Sequence, residues 1–344
     1  MQNNVSSIAA PLVEWFRQNK RELPWRQDKD PYHVWVSEIM LQQTRIEAVT
    51  ERYYAFMQAL PRVEDLATVS EARLLKLWEG LGYYSRARNL KKAAGIICDT
   101  YGGKFPETYA QLVKLPGIGA YTAGAIASIC FNQAVPAVDG NVLRVLARVC
   151  ADESNVLLPE TKQRAEALIR EILPPSAGEF NEGIMELGET VCLPNGLPLC
   201  HQCPIRQYCK AYALELTDTL PVRIKNTQRK KVQKTVLIYS TPSEQLAIEK
   251  RANKGLLAGL YQLPNTDRFL SEAEITEQAE AQGLEVQHIT YLKETKHLFT
   301  HIEWQMKVYR VEVAQPGGAY IWCTPQELTQ RYALPTAFQK CFPK

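Results

Sequence analysis

The sequence predicts a mainly α-helical N-terminal region that carries a four-cysteine loop, followed by a smaller α+β C-terminal domain. Three observations predict this. Apolar residues recur at helical spacing over 37–57, 70–79, 86–100, 120–131, 141–149 and 160–172, with short Gly- or Pro-containing turns between them. Cys192, Cys200, Cys203 and Cys209 then form a C-x7-C-x2-C-x5-C run. After it the texture changes to strand-like runs at 235–239, 261–263 and 306–313, interrupted by one helical stretch over about 271–282. The boundaries read from this are 1–215 for the helical region with its cysteine loop (192–209), 216–232 for a basic linker, and 233–344 for the second domain.

The 344 residues are enough for two domains, and 46% hydrophobic with 22% charged residues is ordinary globular composition, which excludes a largely disordered chain. A net charge of +3 does not by itself identify a nucleic-acid partner, because such binding depends on where the charge lies. Two local clusters are more informative. Arg86, Arg88, Lys91 and Lys92 follow a Gly-Tyr-Tyr turn, and Arg223, Lys225, Arg229, Lys230, Lys231 and Lys234 fill the stretch after the cysteines. The second cluster reads equally well as a solvated linker. No N-terminal stretch has the form of a signal peptide and no apolar run is long enough to span a bilayer, so the expectation is a cytoplasmic protein without membrane association. No oligomerisation signal stands out, and a monomer is expected.

In a reducing compartment, paired disulfides are rare. Four cysteines among Pro194, Gly196, Pro198 and Pro204 therefore read as ligands of one centre, and four thiolates suit an iron-sulfur cluster or a tetrahedral zinc. The common zinc patterns pair two CxxC units, whereas this run holds one CxxC with unequal outer gaps, which favours the cluster. Cys98, Cys130, Cys150, Cys323 and Cys341 sit singly and read as buried free thiols.

Leu115-Pro116-Gly117-Ile118-Gly119 lies between two helical stretches. Gly117 and Gly119 permit a tight hairpin with exposed amides, either a simple helix-helix turn or a site for a DNA phosphate. Twenty residues beyond it, Asp139 opens a helix in Val138-Asp139-Gly140-Asn141-Val142, a position where Asp is usually an N-cap.

A helix-hairpin-helix, then an Asp, then a four-cysteine loop resembles the helix-hairpin-helix DNA glycosylase superfamily (HhH-GPD, endonuclease III-like). Within it the chain is most similar to the MutY family of adenine DNA glycosylases. The matching motifs are PYHVWVSEIMLQQTR (31–45), WEGLGYYSRARNL (78–90), LPGIGAYTAGAI (115–126), AVDGNVLRVLAR (137–148) and FNEGIMELG (180–188), so the resemblance covers nearly the whole chain. It implies a two-lobed helix-hairpin-helix region, a [4Fe-4S] cluster on the four cysteines, and a Nudix-like C-terminal domain. The implied activity is hydrolysis of the N-glycosyl bond of adenine opposite 8-oxoguanine or guanine in double-stranded DNA, as a step of base excision repair at the nucleoid. The family's usual first cysteine gap is six residues and here it is seven, a difference a loop absorbs at small entropic cost.

Glycosidic cleavage of a purine nucleotide asks for an acid to neutralise the leaving base and a carboxylate to face the developing sugar cation. Glu38, among Trp35, Val36, Ile39, Met40 and Leu41, sits where desolvation raises a carboxyl pKa, and the resemblance implies that it protonates adenine N7. Asp139 corresponds to the family's essential aspartate, with Asn141 positioning it or a water. Tyr121 stands where strand-cleaving relatives carry a Lys; a phenol forms no Schiff base, which implies a monofunctional enzyme. Some thymine mismatch glycosylases also carry Tyr here. By the same resemblance, Gln42, Gln43 and Tyr83 insert beside the flipped base and its partner, Arg86 lies among the DNA contacts, and Trp25, Arg26 and Glu182 line the adenine pocket.

In the second domain, GLLAGLYQLP (255–264) resembles a Nudix segment, but no REx2EE-like helix follows, so no catalytic magnesium is expected. Phe299-Thr300-His301 resembles the family's Phe-Ser-His loop that senses 8-oxoguanine, with Thr adding a methyl. Apart from that, His301 would read as a strand-edge histidine. Two other readings remain: a pyrimidine (thymine or uracil) mismatch glycosylase, and an iron-sulfur protein that binds DNA or carries electrons without glycosylase activity.

Overall fold

The computed structural model describes residues 5–225 and 228–343. They form two compact units, one of residues 5–68 with 88–225, the other of residues 69–87 with 228–343. The helices up to the cysteine loop are α1 (Ala9–Asn19), α2 (Pro31–Leu41), α3 (Ile46–Ala59), α4 (Val63–Thr68), α5 (Glu71–Leu77), α6 (Ser85–Tyr101), α7 (Tyr109–Leu112), α8 (Ala120–Phe131), α9 (Gly140–Cys150), α10 (Pro159–Ile172) and α11 (Ala177–Thr190), with the short α12 (Lys210–Ala213) after it. Among the described residues no helix is long and apolar enough to cross a membrane.

In the first unit, α1, α9, α10 and α11 close a core of Leu12, Val142, Val145, Ile169, Phe180, Ile184 and Leu187, against which Cys192, Cys203 and Tyr208 also pack. One expectation needs correction here. The apolar period over 37–57 is two helices, because α2 stops at Gln42 and Gln43 takes a left-handed φ of +60° before α3 begins. Apolar spacing continues across the break, so periodicity alone does not reveal it. Between α7 and α8 the expected hairpin is present, with Gly117 at φ +79°. A Cβ there would also lie 2.6 Å from Asn89 Cβ, so both backbone and packing require glycine.

The second unit holds a mixed sheet of β1 (Lys230–Ser240), β2 (Leu246–Lys250), β3 (Tyr261–Gln262), β4 (Asn265–Thr266), β5 (Val286–Leu298), β6 (Ile302–Val313) and β7 (Ile321–Cys323). The order is β3-β2-β1-β6-β5, with β1 and β6 parallel from Lys230↔Ile302 to Ser240↔Glu312. Alternate β1 residues fill opposite cores: Val236 and Ile238 pack with Trp304, Met306 and Val308, while Leu237 and Tyr239 pack with Val311 and Val313. Helix α13 (Glu272–Ala281) contributes Ile275 and Ala279 to one face; α14 (Pro325–Arg331) and α15 (Thr336–Gln339) contribute Leu328, Ala337 and Phe338 to the other.

Two readings of the basic stretch meet the fold differently. Lys230–Lys234 belong to β1, and Lys234 is buried, its ammonium paired with Asp267 and 4.6 Å from the Trp304 ring, so that part is not a solvated linker. Residues 69–87 join this unit through α5 and the turn after it. Lys76 Nζ donates to the Tyr332 carbonyl (3.1 Å), and Glu79 accepts from the Leu334 amide (2.8 Å).

Candidate active site

Helices α2, α8, α9 and α11 surround a cavity of about 710 Å³ in the first unit. Each contributes for a local reason. Asp30 caps α2 by accepting from the Tyr32 amide, with Pro31 at the first helical position, and the helix then buries Val34 to Met40. Glu38 is carried inside with them and is only 8% exposed. Tyr121 lies in the first turn of α8, and its hydroxyl donates to Glu38 Oε2 at 2.5 Å and lies 3.2 Å from Met185 Sδ.

Asp139 is the N-cap of α9. Its Oδ1 accepts from the amides of Asn141 and Val142, both at 2.8 Å, and its Oδ2 accepts from Asn141 Nδ2 at 2.7 Å. The capping and site readings of Asp139 are therefore compatible: three donors fix the carboxylate while it lines the cavity. Gly188 of α11 makes the approach of α9 possible, since a Cβ there would stand 2.7 Å from Asn141 Cβ and 3.3 Å from its Cα. Gly188→Ala is expected to push the α9 N-terminus away, costing about 1–3 kcal/mol of stability and a larger share of base release. Thermal melts set beside single-turnover rates check this; an unaltered rate would show that the close approach is dispensable.

The remaining wall is one face of α11, with Glu182, Met185, Glu186 and Glu189 at helical i, i+3, i+4 and i+7 positions. Arg26 pairs with Glu182 (3.1 Å) and Glu186 (3.0 Å), while Arg21 bridges Glu186 (2.6 Å) and Glu189 (2.7 Å). Trp25 is buried edge-on against Tyr53, with ring centroids 5.3 Å apart. Gln42 and the exposed Gln43 also line the cavity. Arg21 and Met185 are members of this wall that the sequence did not single out; the α11 spacing was the available signal for Met185, and no local pattern marks Arg21, which lies between α1 and α2.

The electrostatics follow from burial and partners. Desolvation pushes Glu38 up to about 7; the Tyr121 hydrogen bond pulls the other way, and the nearby Asp139 charge adds to the rise. Desolvation likewise raises Asp139, opposed by its capping donors. Burial beside Glu38 holds the Tyr121 phenol well above its ordinary value, so it stays a donor. Glu182 is raised by burial against the pull of Arg26. Burial also works to raise Glu186, but hydrogen bonds from Arg21 and the charge of Arg26 bring it net below the ordinary carboxylate range.

The other expected residues lie elsewhere. Gly117 and Gly119 form the hairpin before α8. Tyr83, Arg86, Phe299, Thr300 and His301 belong to the second unit. Thr300 and His301 are exposed in the turn between β5 and β6, and Phe299 makes edge contacts with His297 and Trp304 (centroids 4.6 and 4.8 Å). Tyr83 and Thr300, far apart in sequence, meet through their hydroxyls at 3.0 Å. Arg86 is turned inward, its guanidinium donating to the carbonyls of Leu81 (2.9 Å) and Gly82 (3.2 Å).

The four loop cysteines line a cavity with Val145, Leu187 and Ile205. Burial pushes the Cys203 thiol up to about 12, and Cys192, Cys209 and Cys200 add to the rise. Arg148 Nη1 lies 3.2 Å from Cys192 Sγ. Among the described residues no three His, Cys, Asp or Glu side chains converge as ligands of a single metal ion.

Residues 36–175 match the family model of HhH-GPD superfamily base excision DNA repair proteins, and residues 235–344 match that of the NUDIX domain. Adenine DNA glycosylase of Homo sapiens is 35% identical over 408 aligned residues, which cover 98% of this chain and 74% of that protein. The chain belongs to the adenine DNA glycosylase family. The adenine DNA glycosylase of Buchnera aphidicola subsp. Baizongia pistaciae is 31% identical, the alignment covering 97% of this chain and 95% of that one. Among solved structures, that of a thermostable thymine-DNA glycosylase superposes with a TM-score of 0.55 at 26% identity, over 60% of this chain and 96% of its own. The likeness to adenine DNA glycosylases thus runs through both units.

Proposed function

We propose that the protein excises adenine from double-stranded DNA where it is mispaired with 8-oxoguanine or guanine, hydrolysing the N-glycosidic bond and leaving the strand uncut. The observation that carries this reading is the pairing of Glu38, raised to about 7, with the triply held Asp139 in one cavity. Two carboxyls in unlike environments divide the work of acid and charge stabiliser.

A base must leave the duplex for this chemistry, and the cavity has the volume of a small-molecule site. Glu38, protonated near neutral pH, donates to the leaving adenine. Asp139 remains ionised against the oxocarbenium-like sugar, oriented by Asn141. Tyr121 holds Glu38 and, as a phenol, offers no amine for a Schiff base, so abasic sites should persist until alkali cleaves them. Glu182, tied to Arg26, is placed to accept from the exocyclic amine of adenine. Gln42 and Gln43 stand at the helix break where a side chain can enter the vacated stack, and the Gly117 and Gly119 amides would donate to a phosphate. Thr300 and its neighbours read the opposite base.

The likeness to adenine DNA glycosylases over both units supports adenine over a pyrimidine, since the thymine-DNA glycosylase likeness covers 60% of the chain. Chromatography of the base released from A:8-oxoguanine, A:G and T:G duplexes tests this. Adenine alone is expected; thymine released faster than adenine would replace the reading with that of a mismatch pyrimidine glycosylase.

The four thiols around an apolar cavity, with a guanidinium beside Cys192, fit a [4Fe-4S] cluster held by Cys192, Cys200, Cys203 and Cys209. Glycosidic hydrolysis transfers no electrons, so the group would serve to order the loop. Cys203→Ser is expected to lower iron and sulfide per chain and to destabilise the first unit, whose core Cys203 touches. Elemental analysis checks this, and stoichiometric zinc in wild type without iron would contradict it.

A further inference from the structure

The turn that carries Tyr83 is strained. Tyr83 has φ +46°, a conformation that a non-glycine aromatic residue rarely adopts, and the residue is 49% exposed. Exposed aromatic surface in a strained backbone persists only where neighbours fix it. Here they do: Trp78 Nε1 donates to the Gly82 carbonyl at 3.1 Å, and Arg86 Nη2 donates to the carbonyls of Leu81 and Gly82. The Arg86 guanidinium also lies 5.4 Å from the Trp78 ring and 5.6 Å from the Tyr83 ring. Burial lowers its pKa to about 10, the mark of a cation facing protein rather than solvent. At the other end of the same ring, the Tyr83 hydroxyl meets Thr300 Oγ1 at 3.0 Å.

We propose that Arg86 is a positioning residue, not a phosphate contact: it holds the Tyr83 turn so that the Tyr83 and Thr300 hydroxyls form one unit that reads the base opposite the excised adenine. This rests on the function proposed above. One guanidinium nitrogen, Nη2, meets both carbonyls while the flat cation lies against two rings, and it is the second contact that a lysine does not reproduce, because an ammonium is a compact, strongly hydrated charge. The chain of action runs from Arg86 through the Tyr83 backbone and ring to the Thr300 hydroxyl.

The test is single-turnover adenine release opposite 8-oxoguanine and opposite guanine, with DNA affinity measured over a range of salt, for wild type, Arg86→Lys, Arg86→Gln, Tyr83→Phe, Thr300→Val, Thr300→Ser and the Arg86→Gln/Tyr83→Phe double variant. Loss of a hydrogen bond of ordinary strength corresponds to about a threefold to tenfold loss of the 8-oxoguanine preference. That loss is expected in Arg86→Lys, Arg86→Gln, Tyr83→Phe and Thr300→Val alike, with rescue by Thr300→Ser. The double variant should lose no more preference than Arg86→Gln alone. The salt slope of Arg86→Gln should equal that of wild type, because no phosphate contact is removed. Recovery in Arg86→Lys together with a salt slope reduced by about one in Arg86→Gln would overturn the proposal in favour of a phosphate contact. Losses that multiply in the double variant would overturn the chain of action. Should Arg86→Gln fail to fold, the exposed Tyr83→Phe and Thr300→Val still decide: a double variant of these two that adds its losses breaks the hydroxyl unit. Absence of adenine release by wild type from any duplex would instead defeat the underlying function.

Discussion

Asp139→Asn is expected to reduce base release by on the order of a thousandfold or more while leaving the melting temperature within a few degrees of wild type. The two halves of that expectation have separate causes. Asp139 caps α9 through its oxygen, and Asn is about as good a cap as Asp, so the amides of Asn141 and Val142 keep a partner. What the amide lacks is the negative charge opposite the sugar cation. Single-turnover rates beside thermal melts separate the two roles. A variant that loses its fold together with its activity would show that capping is the residue's main contribution; one that keeps full activity would remove Asp139 from the chemistry.

Glu38→Gln is expected to lower the rate by about a hundred- to ten-thousandfold, the usual reach of general acid catalysis, and to remove the alkaline limb of the pH profile. The direction follows from the raised pKa. In wild type the proton is present below about 7 and lost above it, so release should fall as pH rises through that value. Stability carries the same sign. At pH values low enough to protonate Glu38 in folded and unfolded chains, burial costs nothing; as pH rises the unfolded chain ionises first, and the fold loses stability until pH passes about 7. Glu38→Gln should therefore melt higher than wild type at pH 8, although its rate is far lower. A wild-type rate that climbs through pH 7 would mean that Glu38 acts as a base.

The legible and illegible parts of this molecule divide by mechanism. Glu38 was visible because an acid amid Trp35, Val36, Ile39 and Met40 must be buried if the helix is, and burial is what raises its pKa. Asp139 was visible twice, as cap and as motif, and both readings describe the same three hydrogen bonds. The break at Gln43 was not visible, because apolar spacing continues across it and a left-handed residue leaves no trace in hydrophobicity. Strand β5 was missed because most of its residues face away from the buried cores, so the polar sequence QHITYLKETKH shows little of the apolar alternation that marks a half-buried strand. Residues 69–87 read as part of the helical region, yet Lys76 and Glu79 bond to Tyr332 and Leu334, partners that no local pattern announces. The meeting of Tyr83 with Thr300 is of the same kind: each residue stood out alone, and only the fold joins them. Arg86 stands in a basic run, and only the fold shows that one nitrogen of its guanidinium donates to the carbonyls of Leu81 and Gly82.

Monofunctional adenine excision is decided by single-turnover release of adenine from a duplex containing A:8-oxoguanine, with the same reaction run on a denaturing gel before and after alkali. Complete release of free adenine at neutral pH is expected, with the strand intact until alkali is added. Strand cleavage without alkali, or adenine left in place by a folded protein, would contradict it.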